Sequence, residues 1–233
     1  MTSSPKHICI TGVSKGLGRA MVTWFHARGH FVSGFTRNPN AINELKKDPG
    51  PKTAYHALDM CDRKEVHTWA DQLCEHHGPP ELLLCNAGMI HPDTPFLELD
   101  PDEFDRVQDV NLKGTANVIR ALLPAMIQRG TGTLIGFSSG AGVKGYPEIA
   151  GYCASKHAIE GLCKSLAQEI PDGMAVIPFQ PGVIQTDMLK THYGERAKEY
   201  PTPEEWVQRA GPYLLSLGPE QNGESLRLPE GDS

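Results

Sequence analysis

The sequence predicts an α/β fold: a doubly wound, mostly parallel seven-stranded sheet with helices on both faces. Three observations carry this. Short apolar runs alternate along the chain with amphipathic stretches of helical period. One run, Glu81-Leu82-Leu83-Leu84-Cys85, is almost unbroken, as expected of a parallel strand covered on both sides. Glycines also cluster where the first run gives way to the first helical stretch.

His7-Ile8-Cys9-Ile10-Thr11 reads as a buried strand ending at a glycine. Gly18 to Ala27 follows as a helix, with Met21, Val22 and Phe25 at helical spacing. His30 to Thr36 is the second strand, and Asn38-Pro39 opens a helix with proline near its first turn. Tyr55 to Leu58 is the third strand. Arg63 to His77 is a helix whose inner face is marked by Val66, Trp69, Ala70 and Leu73. After the strand at Glu81, Pro101 to about Arg129 is mostly helical, interrupted at Asn111 and Gly114 and open to a kink at Pro124. Thr133 to Phe137 is a strand, Tyr152 to Glu169 a helix and Ala175 to Phe179 a strand. Gln180 to Thr202 shows no steady period and reads as a loop, with a substrate lid over 183–202. Pro203 to Leu217 is helical, and Ser225 to Leu228 forms the last short strand. No linker or low-complexity tract divides the chain, so one domain over 1–233 is expected.

Composition narrows the partners. A formal charge of −6 argues against nucleic acid or an anionic membrane as the main partner. No apolar stretch approaches the roughly 20 residues that span a bilayer, and Met1 to Lys6 is too short and polar for a signal peptide. The six cysteines form no CxxC pair, and several lie in apolar runs. Free thiols in a reducing cytoplasm are expected.

A doubly wound sheet binds ligands beyond the carboxyl ends of its strands, where the strand order reverses. The loops beginning at Thr11, Thr36, Asp59, Asn86, Ser138 and Pro181 therefore converge on one crevice. The first, Thr11-Gly12-Val13-Ser14-Lys15-Gly16-Leu17-Gly18, has the spacing GxxxGxG. Glycine at a strand-to-helix turn lets backbone approach a pyrophosphate, which the unpaired N–H groups of the first helical turn then face. An NAD site usually carries Asp or Glu roughly 20 residues later to hold the ribose 2′-OH. Here that place reads Gly34-Phe35-Thr36-Arg37, with no acid. Arg37 suits a bidentate pair with a 2′-phosphate and Thr36 adds a hydroxyl. Lys15 is either a second cation for that phosphate or plain surface charge. NADP(H) is therefore the expected cofactor. Asp59 is placed either to accept from the adenine amine or to cap the helix at Arg63. Asn86-Ala87-Gly88 offers small residues to the cofactor, while the Asn86 amide is equally suited to tying neighbouring strands together.

Tyr152 and Lys156 stand one helical turn apart on one face. A phenol, with an ordinary pKa of about 10, becomes a usable proton carrier if an ammonium lowers that value. Ser138-Ser139 closes the preceding strand; its hydroxyls either build a turn or come back to the phenol. Two donors on one substrate oxygen help most as charge develops there.

Together these motifs resemble the short-chain dehydrogenase/reductase family, from about Lys6 to the C-terminus. Thr11-Gly12-x-x-x-Gly16-x-Gly18 is similar to the family's cofactor motif and Asn86-Ala87-Gly88 to its structural motif, with Cys85 where a second asparagine often stands. Ser139, Tyr152-x-x-x-Lys156 and Asn111 match its catalytic tetrad. Pro181-Gly182 and Thr186 match the segment that closes over nicotinamide.

The resemblance implies a Rossmann-like fold and an NADPH-dependent reductase of aldehydes or ketones, with Tyr152 as general acid. It leaves two alternatives: an NADP-dependent secondary alcohol dehydrogenase, and an NADP(H)-binding sensor without turnover. Ser139 positions the oxygen, while Asn111 bends its helix and holds a water joined to Lys156 as a proton relay. Cofactor contacts are expected from Thr11, Gly12, Ser14, Lys15, Gly16, Leu17, Gly18, Thr36, Arg37, Asp59, Met60, Asn86, Ala87 and Gly88. Tyr152, Lys156, Pro181, Gly182, Val183 and Thr186 complete them, and no metal is required. Substrate choice falls to the segments around His91 to Phe96, Ala141 to Tyr146 and Val183 to Tyr200. His91 and His192 lie near them, and His157 is expected to face another way. A homodimer or homotetramer is implied through helices near 101–129 and 152–169, where Ala158, Ile159, Leu162 and Leu166 serve either an interface or the monomer core.

Overall fold

The computed structural model describes residues 4–47 and 53–229; the outermost residues of the expected domain, Met1 to Ser3 among them, lie outside the described residues. Seven strands form one sheet: β1 (His7–Thr11), β2 (Phe31–Thr36), β3 (Thr53–Ala57), β4 (Leu82–Cys85), β5 (Gly132–Phe137), β6 (Met174–Gln180) and β7 (Leu226–Arg227). Their order is β3-β2-β1-β4-β5-β6-β7, and every neighbouring pair is parallel. The chain winds outward from β1 through β2 to β3, then crosses back to β4 and winds the other way. Ile8 pairs with Val32 on one side and Leu82 on the other, so the reversal lies between β1 and β4. A crevice opens there at the carboxyl ends.

The helices are α1 (Gly16–His26), α2 (Pro39–Leu45), α3 (Arg63–His77), α4 (Pro101–Gln108), α5 (Thr115–Arg129), α6 (Ala150–Leu166), α7 (Asp187–Tyr193) and α8 (Pro203–Ser216). Alternate strand residues feed two cores, as the period of 2 requires. Ile8 and Ile10 join Met21, Phe25, Trp206 and Leu214 of α1 and α8 on one face. Cys9, Leu83 and Leu134 join Trp69, Leu122, Met126 and Cys163 of α3, α5 and α6 on the other. Gly211 lets α8 lie against α1: a Cβ there would meet the Trp24 ring at 2.6 Å.

One expectation is sharpened and two are corrected. The interruption of the long helix at Asn111 and Gly114 is a π-helical stretch, Asp109–Gly114, between α4 and α5, while Pro124 sits within an uninterrupted α5. The segment expected to be a loop after Gln180 contains α7 and a 3₁₀ stretch, Gly194–Glu199. Seven residues are too few to show a helical period, but Thr186 caps α7 by accepting from the Leu189 N–H at 3.2 Å. The cap of α3 is Asp62, not Asp59: its carboxylate accepts from the Lys64 and Glu65 amides at 2.9 and 3.0 Å.

Cys9, Cys85, Cys153 and Cys163 are buried free thiols, whereas Cys61 is exposed. Ile159 is buried in the core and Leu162 and Leu166 pack against it, so the monomer already uses three of the four candidate interface residues. No helix among the described residues is long and apolar enough to cross a membrane.

Candidate active site

The glycine-rich turn after β1 is built by close backbone approach. Gly12 and Gly16 hold φ of +76° and +56°, a region side chains disfavour. A Cβ on Gly18 would lie 2.0 Å from the Gly12 carbonyl oxygen. The Asn86 amide donates to the Thr11 carbonyl at 2.9 Å and the Ala87 N–H to the Thr11 hydroxyl at 2.9 Å. Of the two roles open to Asn86, the strand tie is thus present.

A cavity of about 570 Å³ opens at this turn. Gly12, Ser14, Lys15, Gly16 and Leu17 line it from the first loop, and Thr36, Arg37, Asp59 and Met60 from the ends of β2 and β3. Asn86, Ala87 and Gly88 line it after β4, and Tyr152, Lys156, Pro181 and Thr186 from α6 and the segment after β6. Thr11 is wholly buried and Gly18 buried in α1; neither lines it. Gly182 and Val183 line an adjoining cavity of about 310 Å³. Gly182 holds φ of +91° beside Pro181, which lines both cavities.

Charge is arranged at the rim. Arg37 stands 3.9 Å from Asp59, whose other oxygen accepts from the Cys61 N–H at 2.9 Å. Lys15 donates to Asp187 at 3.2 Å and holds that carboxyl below its ordinary value.

Tyr152 lines both cavities and is buried, as is Lys156. Burial pushes the phenol up to about 12, while a hydrogen bond with Ser139 acts in the opposite direction. The expectation that Lys156 lowers this value is not met here. Its ammonium lies 5.7 Å from the phenol ring centroid and donates to the Phe137 carbonyl at 2.7 Å. Burial brings the lysine itself down to about 8. Asn111 sits on the π-helical stretch. Its carbonyl oxygen accepts from the Met89 N–H at 2.7 Å, and its amide donates to the Met89 carbonyl and the Ser155 hydroxyl, both at 2.9 Å. A Cβ on Gly88 would come 3.2 Å from Asn111 Oδ1 and 3.5 Å from Lys156 Nζ, so these three residues converge.

A short chain dehydrogenase family model matches residues 6–197. The chain belongs to the short-chain dehydrogenase family. An NADPH-dependent pterin aldehyde reductase of Arabidopsis thaliana is 39% identical over 223 residues, covering 95% of this chain and 92% of that protein. The solved structure of a short chain dehydrogenase from Escherichia coli CFT073 in complex with NADPH has a TM-score of 0.86 at 25% identity, over 97% of both chains. Another, from Shigella flexneri 2a strain 301 with NADP, has a TM-score of 0.85 at 25% identity, over 96% of both.

In this short-chain dehydrogenase the second cavity takes Ala141 and Tyr146 from one expected substrate segment and Val183, Met188, His192 and Tyr193 from another, while from near the third it takes only Ile90, one residue ahead of His91. His192 closes on Asp93 with an Nδ1–Oδ1 distance of 2.5 Å. His91 does not line the cavity; it is fully buried against the position a Gly151 side chain would take. His157 is exposed and bonds within its own helix to the Cys153 carbonyl. Ser138 lines both cavities, and sequence reasoning missed Asp187 and Lys190 as lining residues of the larger. The Thr186-Asp187 pair, a capping hydroxyl followed by a first-turn acid, was the available sign of a helix there.

Proposed function

We propose that this NADP(H)-dependent oxidoreductase works as an NADPH-dependent reductase of an aldehyde or ketone, with Tyr152 as its general acid. The observation that carries this reading is the position of Tyr152, buried and lining both the larger cavity and the adjoining one.

The residues fit the cofactor. A turn with no room for a Cβ at Gly18 suits the approach of a pyrophosphate to the α1 N-terminus, and Arg37 lines the cavity where β2 ends, with no acid on that strand end. The Arabidopsis relative is named for NADPH, and the two solved relatives hold NADPH and NADP. The chemistry the bound cofactor supplies is a hydride for the carbonyl carbon.

This chain's own residues handle the oxygen. Ser139 and Tyr152 donate to the substrate oxygen as its charge grows, and Tyr152 gives up its proton to it. Burial raises the proton affinity of the phenol and keeps Tyr152 in the protonated form that a general acid needs. Lys156 and Asn111, converging at Gly88, return the proton to Tyr152 through a water held between them. The segment 183–202 acts as a lid through α7. The substrate class we favour is an aldehyde on a planar ring system, following the relative's pterin aldehyde. Tyr146, His192 and Tyr193 supply aromatic walls for it.

The deciding experiment is a cofactor-consumption screen of carbonyl classes, pterin aldehydes included, with alcohols plus NADP⁺ in parallel. NADPH consumption with an aldehyde, well above that with NADH, is expected. Oxidation of alcohols without reduction of any carbonyl would overturn the proposed direction.

A further inference from the structure

We propose that Lys190 is a further cofactor ligand, reaching the pyrophosphate from α7, and that Asp187 holds it and Lys15 away in the free protein. This rests on the reading that the larger cavity takes NADP(H).

Lys15, Asp187 and Lys190 all line that cavity. Asp187 lies 3.2 Å from the Lys15 ammonium and 3.5 Å from that of Lys190, so one carboxylate is shared by two cations from opposite ends of the chain. All three side chains are more than half exposed. Such pairs are weak, about 0–1 kcal/mol, and exchange readily for a better partner.

The better partner is set by location. The Thr186 methyl lies 3.5 Å from where a Gly16 Cβ would be. Gly16 opens α1, whose unpaired N–H groups face any bound pyrophosphate. Lys190 stands one turn on from Thr186, with its N–H donating to the Thr186 carbonyl at 3.0 Å. A lysine side chain starting there spans the short distance to the α1 N-terminus. Arg37, by contrast, belongs to the β2 end, where the 2′-phosphate is read. Asp187 carries the same sign as the ligand, and in the free protein its charge is neutralised by the two lysines. When the pyrophosphate enters, both ammonium groups turn to it, and the remaining carboxylate weakens the binding it flanks.

The test is titration of the full chain with NADPH and with NADH, following tryptophan fluorescence. Lys190→Gln is expected to weaken both ligands by the same factor, about five- to tenfold, the size of one charge-assisted hydrogen bond near solvent. Lys190→Arg should restore most of it. Asp187→Asn should tighten both by about two- to fivefold. Added salt should weaken the parent more than Lys190→Gln. Unchanged affinities in Lys190→Gln, or a loss confined to NADPH, would overturn the pyrophosphate assignment. Weaker binding by Asp187→Asn would overturn the holding role. If Arg37→Ala is also without effect on NADPH, the failure is that of the cavity as the NADP(H) site. A selective NADPH loss in Arg37→Ala beside an inert Lys190→Gln confines the failure to Lys190.

Discussion

The ammonium of Lys156 donates to the carbonyl oxygen of Phe137 at 2.7 Å, tying the middle of α6 to the end of β5. Both groups are withdrawn from water, and this sets the charge state of the site as much as its shape.

Folding must carry the cost of that burial. The folded-state pKa of Lys156 is about 8, below its ordinary 10.5, so the folded protein releases this proton before the unfolded chain does. The cost, about 3 kcal/mol, is fully present below pH 8 and is relieved as pH rises towards 10.5. Urea unfolding across that window should show a stability gain in the parent that Lys156→Met lacks. Equal pH dependence in the two proteins would contradict the burial argument.

Removing the Tyr152 hydroxyl should separate binding from chemistry. Tyr152→Phe keeps the ring between the two cavities, so cofactor affinity should change less than about twofold while turnover falls by about 10²–10⁴. Stopped-flow turnover beside a binding titration measures both. Comparable turnover would remove the acid role.

Cofactor choice should rest on Arg37. It stands 3.9 Å from Asp59 in a pair that a 2′-phosphate outcompetes. Arg37→Ala should weaken NADPH by about ten- to a hundredfold and leave NADH nearly unchanged. Equal losses in parallel titrations would refute the specificity argument.

Gly18→Ala should damage the turn itself. Its Cβ would press on the Gly12 carbonyl at 2.0 Å and on the Asn86 amide at 2.8 Å, which ties β4 to β1 by donating to the Thr11 carbonyl. A stability loss of about 1–3 kcal/mol is expected, with weaker cofactor binding. Thermal melting and NADPH titration check it, and an unperturbed melt would show that the turn yields.

The sequence by itself determined the strand and helix alternation, the parallel winding and the identity of most residues gathered at the crevice. These are written in local periodicity: Leu82 to Leu84 show burial on both faces, and the glycines of the first turn show close backbone approach. Tertiary structure decided what depends on distant partners. Tyr152 and Lys156 are one turn apart in any helix, yet their proton affinities follow from burial and the ammonium finds its partner in the Phe137 carbonyl, neither of which spacing reveals. Asn111 looks like a flaw in a helix until Met89 and Ser155 meet its amide across a π-helical turn. Lys15 and Asp187 are 172 positions apart, and only folding brings their charges together. Periodicity records which face of an element is buried; it does not record what stands opposite.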